Sequence, residues 1–400
     1  MNILVLNCGS SSAKFAVLDA RDGTERLSGN AQRLGTADAS LDWRSGDERG
    51  AIRIPGADHG EALRAAVALL NERGLVAELG GVGHRVVHGG ARFSASTRIT
   101  PEVVAQIEAC VPLGPLHNPS NLVGIRIAQE LLPALPQVAV FDTAFHQTIP
   151  ARAYTYPVPR EWAERYGVRR YGFHGTSHRY VTARAQAMLG LATDQGALIT
   201  AHLGNGCSAT AVLNGRSVDT TMGLTPLEGL VMGTRSGSVD PAIIGHVARA
   251  SGMTFEAVLD ALNKRSGLLG LSGLSNDLRS LEAAADEGHE GATLAIDVFC
   301  FTLARHLAGL VVSLQRLDAI VFTGGIGENS ARVRAAVIGH LGFLGLRIDA
   351  EANRAAVRGQ SGRITASVAP QCLVVPTNEE LMIALDTAQL VAHEARKSSP

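Results

Sequence analysis

Residues 3–14 read Ile-Leu-Val-Leu-Asn-Cys-Gly-Ser-Ser-Ser-Ala-Lys, an apolar run that enters a small polar turn before Phe15-Ala16-Val17-Leu18 resumes a strand. The pattern predicts a β-hairpin with its turn at residues 7–12. It also recurs. Leu4…Gly9…Ala16-Val17-Leu18-Asp19 stands beside Ile199…Gly204…Ala211-Val212-Leu213-Asn214 at a constant offset of 195 residues, about half of the 400-residue chain. Two related α/β domains are therefore expected, each opening its core sheet with the same hairpin. Small residues in such a turn let backbone N–H groups approach an anion. The Ser10 and Ser12 hydroxyls add donors and Lys14 adds a positive charge at the rim. Over these residues alone an ordinary serine-rich turn would look the same.

Between the hairpins, residues 61–73 and 107–132 carry helical periodicity, the latter broken by prolines, while 80–87 and 137–141 read as strands. Farther on, 293–316 reads as a long buried helix, with Ile296, Phe299, Leu303, Leu307 and Leu310 on its apolar face. A short strand at 319–323 leads to Gly324-Gly325, followed by a helix at 331–341, a strand at 373–376 and a terminal helix at 379–395. The stretch 150–159, with three prolines and two tyrosines, reads as extended and marks the domain boundary. The expected domains are 1–150, completed by a terminal helix at 380–400 that packs back across the junction, and 151–379.

Bulk properties narrow the function. Hydrophobic residues make up 46% of the chain and aromatic residues only 4%, which suits aliphatic α/β packing. A formal net charge of −1 gives no field toward nucleic acid or a membrane surface. The five cysteines are scattered without a CxxC pair, which speaks against a zinc site or disulfide framework. The longest stretch without charged residues, 195–215, is broken by Gly and Asn into strand, turn and strand. No signal peptide, membrane span or nucleic-acid partner is expected, and the localisation read from the chain is cytoplasmic.

Four further segments carry chemistry. Gly83-His84-Arg85-Val86-Val87-His88-Gly89-Gly90 places an arginine and two histidines at a strand end. Tyr171-Gly172-Phe173-His174-Gly175-Thr176-Ser177-His178 is a glycine-punctuated loop entering a helix. The segment 222–241 holds Gly-Thr-Arg235-Ser-Gly in a flexible glycine loop, and Phe322 to Asn329 reads as strand, glycine turn and helix start. With these in place the chain resembles the acetokinase family, within the superfamily of acetate and sugar kinases, heat-shock chaperone ATPases and actin. The resemblance runs from Asn7 to Glu380.

The resemblance implies two duplicated ribonuclease-H-like (actin-like ATPase) domains, α/β in class, with a central interdomain cleft. It also implies a reversible, Mg²⁺-dependent transfer of the ATP γ-phosphoryl group to acetate, giving acetyl phosphate and ADP by direct in-line displacement, with Mn²⁺ as an alternative metal. Arg85 would hold the acetate carboxylate, in a small apolar lining of Val87, Leu116, Phe173 and Pro226. His174 and Arg235 would stabilise the transferring phosphoryl, Asp142 would be the catalytic aspartate, and Asn7 and Glu379 would form the metal side. Lys14, Ser10 and Ser12 would face phosphate from the first hairpin, and His202, Leu203, Gly204, Asn205 and Gly206 from the second. Asp277, Leu278 and Arg279, with Gly325, Ile326, Gly327, Glu328 and Asn329, would bind adenosine. His178 is expected to support its loop, and His117 matches a family histidine near the substrate. Glu380, next to Glu379, reads as helix charge. A homodimer built through the second domain is implied as well.

The chemistry fits these residue types. An ionised carboxylate needs no strong base, since its pKa lies near the roughly 4.3 of a Glu side chain. The difficulty is bringing an anion against a polyanion, which calls for Arg, His and a divalent cation. Two departures from the family pattern stand out: Ser238 replaces an acidic residue, and Leu278 occupies an aromatic position. A propionate or butyrate kinase of the same family is the nearest alternative; a nucleotide-gated chaperone or actin-like ATPase is a remote one.

Overall fold

Strand β1 (Asn2–Cys8) is buried over nearly its whole length, as an apolar run covered on both faces must be. The computed structural model describes residues 1–366 and 368–398. They divide into two compact units, Met1–Ala144 with the residues from Asn378 on, and Phe145–Thr377.

In the first unit β1 is followed by β2 (Ser12–Asp19), β3 (Glu25–Gln32), β4 (Ser40–Ser45), β5 (Glu48–Arg53), β6 (Leu79–Val86), β7 (Thr97–Arg98) and β8 (Gln137–Phe141). They form one sheet in the order β5-β4-β3-β2-β1-β6-β8-β7, with β1, β6 and β8 mutually parallel and β1, β2 and β3 antiparallel. The second unit holds β9 (Ala197–Leu203), β10 (Cys207–Leu213), β11 (Arg216–Thr220), β12 (Ala319–Thr323), β13 (Gly362–Arg363) and β14 (Gln371–Val374). Their order is β11-β10-β9-β12-β14-β13, with β9, β12 and β14 parallel. Numbered within each unit, both sheets contain the same antiparallel meander joined to the same parallel trio, which is the duplication of an actin-like ATPase domain.

The repeat is not a constant offset, however. Asn7 pairs with Lys14 and Cys8 with Ala13, so the first turn narrows to residues 9–12, inside the expected 7–12. In the second hairpin Leu203 pairs with Cys207 and His202 with Ser208, one residue tighter. Strand β9 follows β1 by 195 residues, but β10 follows β2 by 194. Because side chains alternate with period two, the matching Ala-Val-Leu tripeptides face opposite ways. Val17 joins the core under the crossover helices, while Val212 packs toward the other face. Ser208, rather than Ala209, stands where Lys14 does.

Each sheet is covered on both sides. In the first unit the helices His59–Glu72 and Asn118–Leu131 bury Leu63, Leu70 and Ala128 against Leu4, Leu6 and Val17. The terminal helix Glu379–Ser398 covers the opposite face with Ile383 and Ala384, against Ile3, Val5 and Val140. In the second unit the helix Gly175–Met188 packs Val181 and Ala185 against Leu198, Val212 and Val321. The other face takes the helix Glu290–Leu314, which touches β9, β10 and β11. This helix is long and apolar enough to cross a membrane by length and composition alone, yet its Ile296, Phe299, Leu303 and Leu307 are buried in the unit.

Local chemistry sets the ends of these elements. Asp58 and Glu61 form a reciprocal capping box on the helix His59–Glu72. Periodicity from residue 107 actually belongs to two helices, Pro101–Ala109 and Asn118–Leu131, parted by a 3₁₀ turn containing Pro112. Residues 150–159 are not uniformly extended: Pro150 caps the short helix Ala151–Tyr154. Strands β3 to β5, with charged and exposed alternate positions, carried too little apolar signal to be expected.

Glycine lets the terminal helix sit close on β6. A Cβ on Gly83 would lie 2.5 Å from Thr387 Oγ1 and 2.6 Å from Ile383 Cγ2. Gly83→Ala should therefore overpack this contact and cost about 1–3 kcal/mol, read as a lower urea midpoint at unchanged slope.

Candidate active site

Parallel neighbours end together, and in the first unit the C-terminal ends of β1, β6 and β8 carry the polar residues. The register Leu6↔His84 and Arg85↔Val140 puts Asn7, Arg85 and Asp142 on one edge of the sheet. Arg85 Nε donates to Asp142 Oδ1 at 3.0 Å and Nη2 to Oδ2 at 2.7 Å. Asp142 is buried, with 1% of its side chain exposed, and Arg85 keeps 19%. Burial works against the charge on Arg85, but Asp142 and Glu379 outweigh it and hold the guanidinium pKa above its ordinary value. The Asp142 carboxylate is spent on Arg85. Side-on pairing of this kind leaves the Nη1–Nη2 end of the guanidinium for a second carboxylate.

Glu379 opens the terminal helix. Its Oε1 is buried without a hydrogen-bond partner, and burial, with Asp142 adding to it, raises its pKa against the pull of Arg85 and Lys14. Asn7, Lys14 and Glu380 line a cavity of about 460 Å³ with Asp42, Arg44 and Arg49. Ser10 is exposed and Ser12 half-buried at the turn, where Gly9 N donates to Ser12 O. Val87 is buried, and its N–H donates to Asn121 Oδ1, whose amide in turn donates to Cys8 O. Leu116 is 56% exposed, and His117 stands half-buried at the start of the helix Asn118–Leu131. His84 points elsewhere: it is buried, its Nε2 lies 2.8 Å from Gln137 Oε1, and burial pushes its pKa down to about 4.

In the second unit the loop before Gly175–Met188 places His174 in the left-handed region, φ 57°, at the helix N-cap. Its ring stacks on His202 at 4.4 Å, and its Nδ1 lies 2.8 Å from Ser208 Oγ. His202 Nδ1 is in turn 2.8 Å from Ser177 Oγ. Phe173 is buried, and its carbonyl accepts from His146 Nε2 at 2.9 Å. Arg235 is aimed by Pro226, whose carbonyl accepts from Nη1 at 2.7 Å. Pro226 thus contributes a backbone acceptor as well as an apolar ring. The two groups converge at Gly206: a Cβ there would lie 3.3 Å from Arg235 Nη2 and 3.4 Å from His174 Nε2. The glycine leaves open the space between a guanidinium, an imidazole and the second hairpin turn.

Beside that turn lies a cavity of about 870 Å³ lined by Gly204, Asn205, Asp277, Leu278, Arg279, Gly325, Ile326 and Asn329. Asn276, Glu282, Ser330, Val357 and Arg358 complete it and were not anticipated. Asn276 Nδ2 donates to Asn205 Oδ1, tying the turn to the 276–279 segment. Arg279 is 88% exposed and pairs with its own Asp277. Leu203 is buried in the core. Gly327 is buried too, and its carbonyl accepts from Arg334 Nη1. Glu328 turns away from the cavity: its Oε1 accepts from the N–H groups of Gly324 and Thr377. Ser238 clasps its own loop, its Oγ accepting from Gly229 N. Another cavity of about 850 Å³, lined by Arg170, Glu228, Arg265 and Arg305, gathers none of the candidate residues.

Residues 2–385 match the family model described as the acetokinase family. An acetate kinase of Ectopseudomonas mendocina is 56% identical over 390 residues, covering 98% of this chain and 99% of that one. Among solved structures, acetate kinase from Porphyromonas gingivalis matches with a TM-score of 0.92 at 42% identity, over 98% of this chain and 99% of that one. A propionate kinase from Francisella tularensis matches with a TM-score of 0.93, also at 42% identity, over 97% and 99%.

The buried His84 makes stability depend on pH. Its folded-state pKa is lowered, so between about 4 and the ordinary 6.5 the unfolded chain binds more protons. Stability from this group is therefore complete above pH 6.5 and is lost as the pH falls toward 4, by up to about 3 kcal/mol. In urea unfolding across that window, His84→Gln should flatten the decline relative to the wild type.

Proposed function

The chain belongs to the acetokinase family, and from that membership we propose that it transfers the γ-phosphoryl group of ATP to acetate, reversibly and by direct in-line displacement. One observation carries the proposal: Arg235 Nη2 and His174 Nε2 converge on the open face of Gly206, beside a cavity large enough for a nucleotide. Donors preset around a space of this kind suit the charge that spreads over a transferring phosphoryl.

The acceptor half rests on Arg85. Asp142 engages its Nε and Nη2, which fixes the plane of the guanidinium and offers the other edge to a carboxylate. Asp142 then acts as a positioning residue, with both oxygens occupied and no proton to remove, because acetate is already ionised at pH 7. Val87, Leu116, Phe173 and Pro226 would enclose the methyl group. Asn205 and the turn at 204–206 would meet phosphate, and the 277–279 and 325–329 segments the adenosine. Ser10, Ser12 and Lys14 would face the phosphates from the first hairpin.

The metal side also fits. Among the described residues no cluster of three or more His, Cys, Asp or Glu forms a protein cage. Mg²⁺ does not need one, since it binds through one or two carboxylates, substrate phosphates and water. The buried, unpartnered Oε1 of Glu379 is the oxygen such an ion would satisfy, with Asn7 as its neutral neighbour. Bound there, Mg²⁺ or Mn²⁺ supplies charge neutralisation on the phosphates. A cytoplasmic homodimer completes the proposal, and sedimentation equilibrium tests the dimer.

A hydroxamate assay with ATP, Mg²⁺ and a series of short carboxylates should detect acetyl phosphate, and folded protein that yields no acyl hydroxamate would sink the proposal. Arg85→Ala should raise KM for acetate roughly 10- to 100-fold, as loss of a charged hydrogen bond predicts, with KM for ATP within about twofold. The similarity to a propionate kinase keeps the longer acid in view. Val87→Ala should raise the propionate-to-acetate ratio of kcat/KM by roughly tenfold, the worth of one methylene in such a pocket. An unchanged ratio would show that Val87 does not set acid length.

A further inference from the structure

Behind His174 runs a line of buried hydrogen bonds. His174 Nδ1 lies 2.8 Å from Ser208 Oγ, Ser208 Oγ lies 2.7 Å from His178 Nε2, and His178 Nδ1 lies 2.7 Å from Thr200 Oγ1. Thr200, His178 and Ser208 are all fully buried. Burial first, then the neighbouring His146 and His202, hold the His178 pKa well below its ordinary value, so this imidazole is neutral. A neutral imidazole has one N–H and one lone pair, and each hydroxyl has one hydrogen to give. The line can therefore run in only one of two directions at a time.

Thr200 decides between them. Its hydroxyl has His178 as its side-chain partner, and it lies on β9 with no exposure to water. If His178 Nδ1 carried the proton and donated to Thr200, the threonine O–H would be left buried without an acceptor, which is disfavoured. In the other direction every hydrogen is used. Thr200 donates to His178 Nδ1, His178 Nε2–H donates to Ser208, and Ser208 donates to His174 Nδ1. With Nδ1 accepting, the His174 proton sits on Nε2, the nitrogen facing the open side of Gly206 beside Arg235 Nη2. His202 stacks on the same ring.

We propose that Thr200, His178 and Ser208 are positioning residues that hold His174 as its Nε2–H tautomer, so that a donor rather than a lone pair meets the transferring phosphoryl. The proposal rests on the reading of His174 as a donor to that group. The one-residue tightening of the second hairpin makes it feasible, because it puts Ser208 opposite His202.

Histidine-ring ¹⁵N NMR on the full-length protein reports which nitrogen of His174 is protonated, and steady-state kinetics reports the consequence. Thr200→Val removes only the far hydroxyl, whose bias is worth roughly fivefold. Without that bias the Nδ1–H tautomer of His174 should rise from about one sixth toward about one half of the population and kcat should fall by somewhat less than about twofold, with both KM values unchanged. Thr200→Ser should restore the wild-type pattern. Ser208→Ala, which cuts the line, should cost roughly 10- to 100-fold in kcat, the usual effect of losing a group that orients a functional histidine. His174→Asn, which tolerates the left-handed backbone, separates the two readings. If His174→Asn is impaired while Thr200→Val and Ser208→Ala keep wild-type tautomer and kcat, the relay is wrong. A shifted tautomer without any change in kcat would also overturn it. If His174→Asn itself keeps full kcat, the assignment of His174 fails first.

Discussion

The candidate site rests, in each unit, on three adjacent parallel strands buried on both faces. β1, β6 and β8 in one unit, and β9, β12 and β14 in the other, have helices above and below. A strand so enclosed can present uncompensated polar groups only where it ends. Parallel neighbours end on the same edge, so the side chains gathered there come from positions far apart in the chain. Asn7, Arg85 and Asp142 meet for that reason, and Glu379 joins them because the terminal helix begins over the same edge.

The two edges solve different electrostatic problems. In the first unit buried charges are matched against each other: a carboxylate grips Arg85 side-on, and a second carboxylate keeps one oxygen unpartnered. In the second unit hydroxyls and imidazoles satisfy one another in series. A paired charge holds a guanidinium in one plane. A chain of neutral donors and acceptors holds a proton on one nitrogen. Both devices preset a geometry before any ligand arrives, which suits chemistry governed by positioning and charge.

Much of this was legible in the chain. The strands at 137–141 and 319–323 follow from their unbroken apolar runs, and the long helix at Glu290–Leu314 from its apolar periodicity. The family is legible because its motifs are long and ordered. Less visible were β3 to β5, whose register comes from pairing with β2 rather than from their own hydrophobicity. The line through Ser208 was invisible for a subtler reason. At an offset of 195 the counterpart of Lys14 is an alanine, and only the observed pairing, one residue tighter, brings a serine to that place. Glu328 illustrates the reverse. Its position in a glycine-rich motif suggests a ligand contact, yet the backbone N–H groups of Gly324 and Thr377 claim its carboxylate.

Sequence by itself determined the composition of each strand end, the duplication and the family, because apolar runs, glycine turns and motif order are properties of neighbouring residues. Tertiary structure alone decided which of those residues face one another. Pairing register chose Ser208 over Ala209, parallel alignment brought Asp142 to Arg85, and a missing side chain at Gly206 left space between Arg235 and His174. Those outcomes depend on hydrogen-bond register and close packing between distant segments, which no local stretch of sequence encodes.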